Sequence, residues 1–326
     1  MCDMIKITVE ENQGNQRLDR FLKKYFAKAP LSHIYRMIRK DVRVNGRRKT
    51  PETVIIPGDE ITVYVSEEQA AKFRRDVRRP SARRTFSVIY EDDNIIVVSK
   101  PFGLLTHGDG KEKKDHLANQ VAAYLTEKGD YDPASDPTFA PAPANRLDRN
   151  TTGLVIFGKN SPALRELNAM IRDRDALEKI YLTIASGRID EPLKLSDMMV
   201  KDEERNMVRI GKEGKIMQTS LFPVAVSSGG RAFTLAEVSI RTGRTHQIRV
   251  QLAEAGHPII GDAKYGDRKV NEYVKTKYGL TTQLLHAFRL KFVSCREDGP
   301  LAYLQGREFT CPPPERFRRI KEDLFG

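Results

Sequence analysis

The stretch NRLDRNTTGLVIFGK, residues 145–159, is a charged loop running into a short apolar strand. It sets Asp148 between Arg146 and Arg149, five residues before Gly153. Cations beside an acid favour its charged form, which suits a nucleophile better than a proton donor. A surface ion-pair loop would read the same way, so the segment has to be weighed with its surroundings. Upstream, VIYEDDNIIVVSKP (88–101) places two β-rich runs around Glu91-Asp92-Asp93-Asn94 and predicts a hairpin. Residues 128–144 are rich in Pro, Asp and Ser and predict an exposed loop. Downstream, residues 161–172 place Leu164, Leu167 and Ile171 inward at helical spacing. Strands follow at 181–185 and 233–240, then a helix at 246–255 stopped by Gly256, and a last strand at 284–292. Strands joined by short loops favour antiparallel pairing. The fold class is therefore α+β with a mixed, mainly antiparallel sheet, not doubly wound α/β.

Two further islands pack charged groups among apolar ones. In RTGRTHQIRVQL (241–252), Arg244 precedes a helix bearing His246, Gln247 and Arg249. A helix start with unpaired amides holds phosphate readily, and His246 and Arg249, three apart, share a face. Ordinary helix capping is the competing reading. In EKIYLTIASG (178–187), Tyr181 follows Lys179 at a strand entrance, where a lone tyrosine is usually core.

The composition bounds the rest. The chain has 326 residues, room for two domains, with 56 Lys and Arg against 44 Asp and Glu, a net charge of +12. Residues 1–84 hold 20 Lys and Arg against 11 acids, net +9, whereas residues 85–326 hold 36 against 33, net +3. A small basic module on a near-neutral body suggests a polyanion-binding attachment on a working domain. The apolar runs at 95–98 and 154–157 are far shorter than the roughly 18–20 residues of a membrane span. The start, MCDMIKITVEENQ, has no long apolar centre and does not read as a signal peptide. Cys2, Cys295 and Cys311 show no CxxC or pairing pattern, and the six histidines lack i, i+4 spacing, so no disulfide scaffold or zinc site is expected. No GxGxxG, Walker A lysine loop, HExxH or GxSxG is present, which argues against dehydrogenases, kinases, ATPases and helicases. The expectation is a soluble cytoplasmic protein whose chemistry uses ordinary side chains, without metal, cofactor or membrane.

In the basic module, Leu18, Phe21, Leu22, Tyr25 and Phe26 form one helical stripe, with Arg20, Lys23 and Lys24 opposite. Ser32 is the expected N-cap of a second helix, with Ile34, Met37 and Ile38 inward and Arg36, Arg39 and Lys40 outward. Val42 and Val44 then alternate into Asn45-Gly46, which supplies the positive φ angles of a tight turn, and a strand follows around Ile61 and Val63. Arg36, Arg39, Lys40, Arg43, Arg47 and Arg48 make a ridge suited to phosphates. Residues 67–84 lack an apolar period, hold seven Lys and Arg, and are expected to be a basic linker.

The order of RLDRFL, SHIYRMIRKDVRVNG and PGDEITV, over about residues 14–66, resembles the alpha-L RNA-binding module first described in a small-subunit ribosomal protein, which implies such a domain over residues 1–66. In residues 85–326, DDNIIVVSKPFGLLTH, NRLDRNTTGLVIFGK, EKIYLTIASG, GRTHQIRVQLAEAGHPIIGDAKYG and LLHAFRLKF, in this order, resemble the RluA family of pseudouridine synthases, in its RluC/RluD-type form. The resemblance implies site-specific isomerisation of uridine to pseudouridine in RNA, large-subunit ribosomal RNA before tRNA, by a cofactor-free monomer. It implies that Asp148 is the nucleophile or stabilises a ribosyl oxocarbenium. Tyr181 would stack on the target base and serve as a base, Arg249 would fix the rotamer of Asp148, and Arg146 would hold the flipped-out state. Asn145 stands where many members have His, Thr152 where Ser is common, and Gln251 where His often follows; Asn145 is expected to alter RNA contacts. The alternative is a non-catalytic RNA-binding assembly factor, whose affinity would follow Lys, Arg and salt without depending on Asp148.

Overall fold

The computed structural model describes residues 3–75, 79–110, 112, 114–202 and 207–326. Cys2 and linker residues 76–78 lie outside them.

The first module comprises β1 (Ile5–Thr8), β2 (Gln16–Arg17), α1 (Leu18–Tyr25), α2 (Leu31–Lys40), β3 (Val42–Val44), β4 (Val54–Ile55) and β5 (Glu60–Val63). Leu18, Phe21 and Leu22 of α1 and Ile34, Met37 and Ile38 of α2 share one core with a three-stranded antiparallel sheet of order β1-β5-β3. Asn45 and Gly46 have φ of 50° and 74° and turn Val44 back onto Arg47 through backbone bonds of 2.9 and 3.1 Å. Two expectations change. Pro30, not Ser32, precedes α2, because its fixed φ of −58° already suits a helix start. The expected linker opens as a third helix, α3 (Glu67–Phe73), capped by Ser66 Oγ accepting from the Gln69 amide at 3.2 Å. Its anchors are Ala70, buried in the module core, and Phe73 against His33, a pair too sparse to read as an apolar period.

The body comprises β6 (Ser87–Glu91), β7 (Ile95–Lys100), α4 (Leu117–Lys128), β8 (Ala142–Pro143), β9 (Thr152–Gly158), α5 (Ser161–Arg172), β10 (Leu177–Ser186), β11 (Leu193–Asp202), β12 (Met207–Gly211), β13 (Lys215–Val226), β14 (Phe233–Ile240), α6 (Gln247–Glu254), α7 (Arg268–Tyr278), β15 (Leu285–Phe292), a 3₁₀ turn (Ala302–Leu304), β16 (Glu308–Thr310) and α8 (Glu315–Phe325). One sheet runs in the order β12-β11-β13-β14-β10-β15-β9-β7-β6, with β16 on β15 and β8 on β9. Its described pairs are antiparallel except β9 with β15, as the α+β reading expects. The apolar runs are continuous because both faces are covered. Ile96, Val98, Val155 and Phe157 face α4 and α6, while Ile95, Val97, Leu154 and Ile156 face α5.

Helix α5 buries Ala163, Leu167 and Met170, leaving Leu164 and Ile171 at the margin. The helix lies so close to β9 that a Cβ on Gly158 would meet Leu164 at 2.6 Å. At that separation the small Ala163 fits the contact and the stripe rotates. Residues 128–144 are also less exposed than expected. Asp136 is buried and accepts from Thr138 and Phe139, and Pro143 pairs with Phe157. Its carboxylate serves local amides, so an acidic composition did not mean solvation here.

The parallel β9–β15 seam starts where the Asp148 loop ends, at Thr152 opposite His286 and Gly153 opposite Ala287. Gly153 has φ of 107°, and a Cβ there would fall on the Ala287 carbonyl. Gly153→Ala is therefore expected to lower stability by about 2–4 kcal/mol through backbone strain and lost pairing. Denaturant titration of the variant checks this.

Candidate active site

Three elements converge on the α4/α6 face. The loop before β9 brings Asp148, strand β10 brings Tyr181, α6 with its preceding turn brings Arg244, His246 and Arg249, and exposed Arg146 stands at the rim. The cleft they line is open to solvent and narrow, with about 50 Å³ of space. A roomier cleft of about 840 Å³, between the first module and α5, contains none of the candidate catalytic or RNA-binding residues.

Arg249 is buried and donates from Nη1 to Asp148 Oδ2 at 3.0 Å. Its other edge makes a two-pronged contact with fully buried Asp262, Nε to Oδ2 at 2.7 Å and Nη2 to Oδ1 at 2.9 Å. Burial alone would lower the guanidinium pKa; the two carboxylates more than offset it and raise it. Burial likewise raises Asp262, but Arg249 and the amides of Lys264 and Tyr265 win, holding it below the usual carboxylate range. Asp262 is the residue the sequence reading missed, although GDAKYG was quoted. A short bridge of Ile259 to Ala185 carries its segment along β10, and Asn271 clamps both sides, accepting from Gly261 N and donating to the Asp262 carbonyl.

Tyr181 is buried in the core beside the cleft. Burial first, and the Asp148 charge second, push its phenol well above the ordinary range. It is thus a neutral ring at neutral pH, suited to an aromatic ceiling and poorly suited to taking a proton. Burial also lowers the His246 pKa; Asp148 and Asp262 oppose this, while Arg249 and Lys264 assist it. Arg244 Nε is buried with no acceptor among the described residues, leaving a donor at the cleft wall.

One expected RNA contact, Gln247, and the three departures from the family pattern are engaged internally. All four hydrogen-bonding positions of the Gln247 amide are engaged, with Thr242, the Arg244 amide, the Gln218 carbonyl and Thr219. Gln247 is a strut of the β13–α6 junction rather than an RNA ligand. Asn145 staples its loop to β9, donating to the Leu154 carbonyl at 3.2 Å and accepting from Ile156 N at 2.9 Å. Gln251 is buried between Thr219 and Asp197, and Thr152 bonds His286. In the first module, Arg36, Arg39, Lys40, Arg47 and Arg48 are exposed, whereas Arg43 is half-buried against Tyr64.

Lys100, also missed, is fully buried and donates to the carbonyls of Pro101, Leu104 and Arg149 at 3.1, 2.7 and 2.9 Å, tying the Asp148 loop to the β7–α4 connection. Burial pulls its pKa down to about 7; Asp148 opposes this and Arg149 adds to it. An unfolded lysine titrates near about 10.4. Between about 7 and 10 the unfolded state therefore binds the proton more tightly, and on this group's account stability rises with pH. Lys100→Met removes that slope and leaves three carbonyls unpaired. Its stability deficit is expected to widen from pH 7 to about 10, read as paired melting curves.

Among the described residues, no helix is long and apolar enough to cross a membrane, and no group of three or more His, Cys, Asp or Glu could hold a metal. The fold is that of two solved human proteins, RNA Pseudouridylate Synthase Domain Containing 1 and 4. These match at TM-scores of 0.51 and 0.52 and 21% identity, over 76% and 72% of this chain and 97% and 91% of theirs. A ribosomal large subunit pseudouridine synthase C of Vibrio vulnificus is 30% identical over 98% of this chain and 96% of its own length. The Escherichia coli protein of the same name is 33% identical over 88% of each. The family profile described as RNA pseudouridylate synthase matches residues 94–254, from β7 through α6, a span that holds Asp148, Tyr181 and Arg249. By that match and by near full-length similarity to its bacterial relatives, the chain belongs to the RNA pseudouridylate synthase family.

Proposed function

We propose that this protein isomerises uridine to pseudouridine in large-subunit ribosomal RNA, with Asp148 as the reacting carboxylate. The observation that carries the reading is a carboxylate held on one oxygen by a buried arginine, beside a neutral tyrosine and beneath two arginines, in a chain whose relatives bear the name of that reaction. The reaction breaks N1–C1′ and forms C5–C1′; C5 gives up its proton and N1 gains one, so nothing is added or lost. Attack on C1′, addition at C6 and elimination across C1′–C2′ share one demand, a carboxylate of fixed orientation in a site that keeps the free uracil. Arg249 meets the first part. Tyr181, with Leu147 and Ile248 in the same core, meets the second.

The base has to leave its stack, at a cost of a few kcal/mol. The exposed cations of residues 1–66, the basic segment up to residue 84, and Arg146 and Arg244 at the cleft supply attraction to the backbone that offsets this cost. The protein acts as a cytoplasmic monomer with RNA as its partner. The test is incubation with unmodified large-subunit ribosomal RNA and, separately, tRNA, followed by carbodiimide mapping of pseudouridine. New reverse-transcription stops in the ribosomal RNA are expected. Stops in tRNA alone would overturn the substrate assignment.

A further inference from the structure

His246 stands at the start of α6 with φ of 55°, an orientation that no side-chain cap explains. Its Nδ1 lies 2.9 Å from the hydroxyl of Tyr265. That hydroxyl already accepts the backbone N–H of Val208, in β12, at 2.8 Å. A phenol has one hydrogen to give. With Val208 donating to the oxygen and no other acceptor for the hydroxyl hydrogen among the described residues, that hydrogen is aimed at His246 Nδ1, which then accepts. A neutral imidazole with Nδ1 unprotonated carries its proton on Nε2, and Nε2 faces Asp148 Oδ2 at 3.8 Å. Arg249 holds the same oxygen. Among the described residues no side chain bonds Asp148 Oδ1, so both donors converge on one oxygen and leave the other for chemistry.

We propose that Val208 N–H and Tyr265 lock His246 as the Nε2–H tautomer, and that this N–H is a second positioning donor on Asp148 Oδ2, closing to a hydrogen bond when the base is bound. The present separation of 3.8 Å is too long for a bond, and such contacts often tighten in the substrate complex. Tyr265 is itself fixed: its ring lies 5.2 Å from the Arg249 guanidinium and packs with Val208, Met217 and Val250. The sheet's β11–β12 extension thereby reaches His246 through two hydrogen bonds, and Asp148 lies one further contact away at 3.8 Å. The charged groups facing His246 are Asp148 from the loop before β9, Arg249 from α6, and Asp262 and Lys264 from the loop before α7. Their signs largely balance, so the tautomer rests on the Tyr265 bond. The inference depends on Asp148 being the reacting carboxylate, although the tautomer itself does not.

The test uses full-length protein labelled with ¹⁵N at histidine. Without RNA, long-range ¹H–¹⁵N correlations are expected to show His246 protonated on Nε2 alone at neutral pH. In Tyr265→Phe the ring should sample both tautomers and take a second proton at a higher pH than in wild type. On ribosomal RNA, Tyr265→Phe should lower kcat about tenfold at unchanged KM, with the deficit deepening toward acid pH. His246→Gln, whose amide can place a donor near Nε2, should keep most of the activity; His246→Asn, whose amide reaches only the Nδ1 position, should lose it like Tyr265→Phe. A wild-type proton on Nδ1, or Tyr265→Phe at wild-type kcat across the pH range, would overturn the proposal. The spectra need no turnover, so failure of the tautomer and failure of the Asp148 reading are separately visible.

Discussion

Asp148→Asn is expected to reduce pseudouridine formation below about one ten-thousandth of wild type while RNA binding is unchanged or tighter. The asparagine side chain has the same shape, and its oxygen can still accept from Arg249 Nη1, so the loop before β9 should keep its course. What is lost is the negative charge. A neutral amide cannot attack an electrophilic carbon, and it cannot stabilise a ribosyl cation. Affinity should not fall, because removing an anion from a surface that faces phosphates reduces repulsion. Single-turnover assays with enzyme in excess, paired with filter binding, separate the two quantities. An assembly factor would show no dependence on Asp148 in either; near-normal turnover in the variant would exclude this carboxylate from the chemistry.

Asp262→Ala is the second large effect. It leaves Arg249 buried with only the half-exposed Asp148 as partner. Breaking a buried pair from one side costs about 3–5 kcal/mol, because the remaining charge is uncompensated. The guanidinium is then free to swing fully onto Asp148, or out of register with it, and a misplacement of about 1 Å costs about a hundredfold in rate. Stability and turnover should therefore fall together. The double variant Asp262→Ala with Arg249→Met separates them. Removing both charges should recover much of the stability, since an apolar replacement of a buried pair is often neutral, yet turnover should stay low because nothing orients Asp148. Recovery of activity with stability would mean that Arg249 matters only to folding.

The site was legible where its chemistry is local. The arginines flanking Asp148 and the helical spacing of His246 and Arg249 drew attention to them, with an ion-pair loop and a helix cap as competing readings. The family resemblance joined Tyr181 to the set, and the structure brings all four to one cleft. Asp262, Tyr265 and Lys100 were not legible. Each acts on a residue distant in sequence, and a lone acid, tyrosine or lysine beside apolar neighbours carries no sign of its partner. The same limit hid the internal partners of Gln247 and Asn145. A polar side chain in a charged motif looks like a ligand until its partners are known, and here those partners are backbone groups of β13 and β9.

By itself the sequence determined the α+β class, the NG turn, the strands on either side of the loop that carries Asp148 and the core face of α1 and α2. These follow from period, turn chemistry and composition, which act over a few residues. Only the tertiary structure decided which helix face β9 would accept, that residues 67–73 fold back as a helix, and that one parallel seam between β9 and β15 would deliver Asp148 to Arg249 across 101 residues of chain. Pairing and burial are settled by contacts remote in sequence, where the desolvation of an arginine and the close approach at Gly153 weigh more than any local preference.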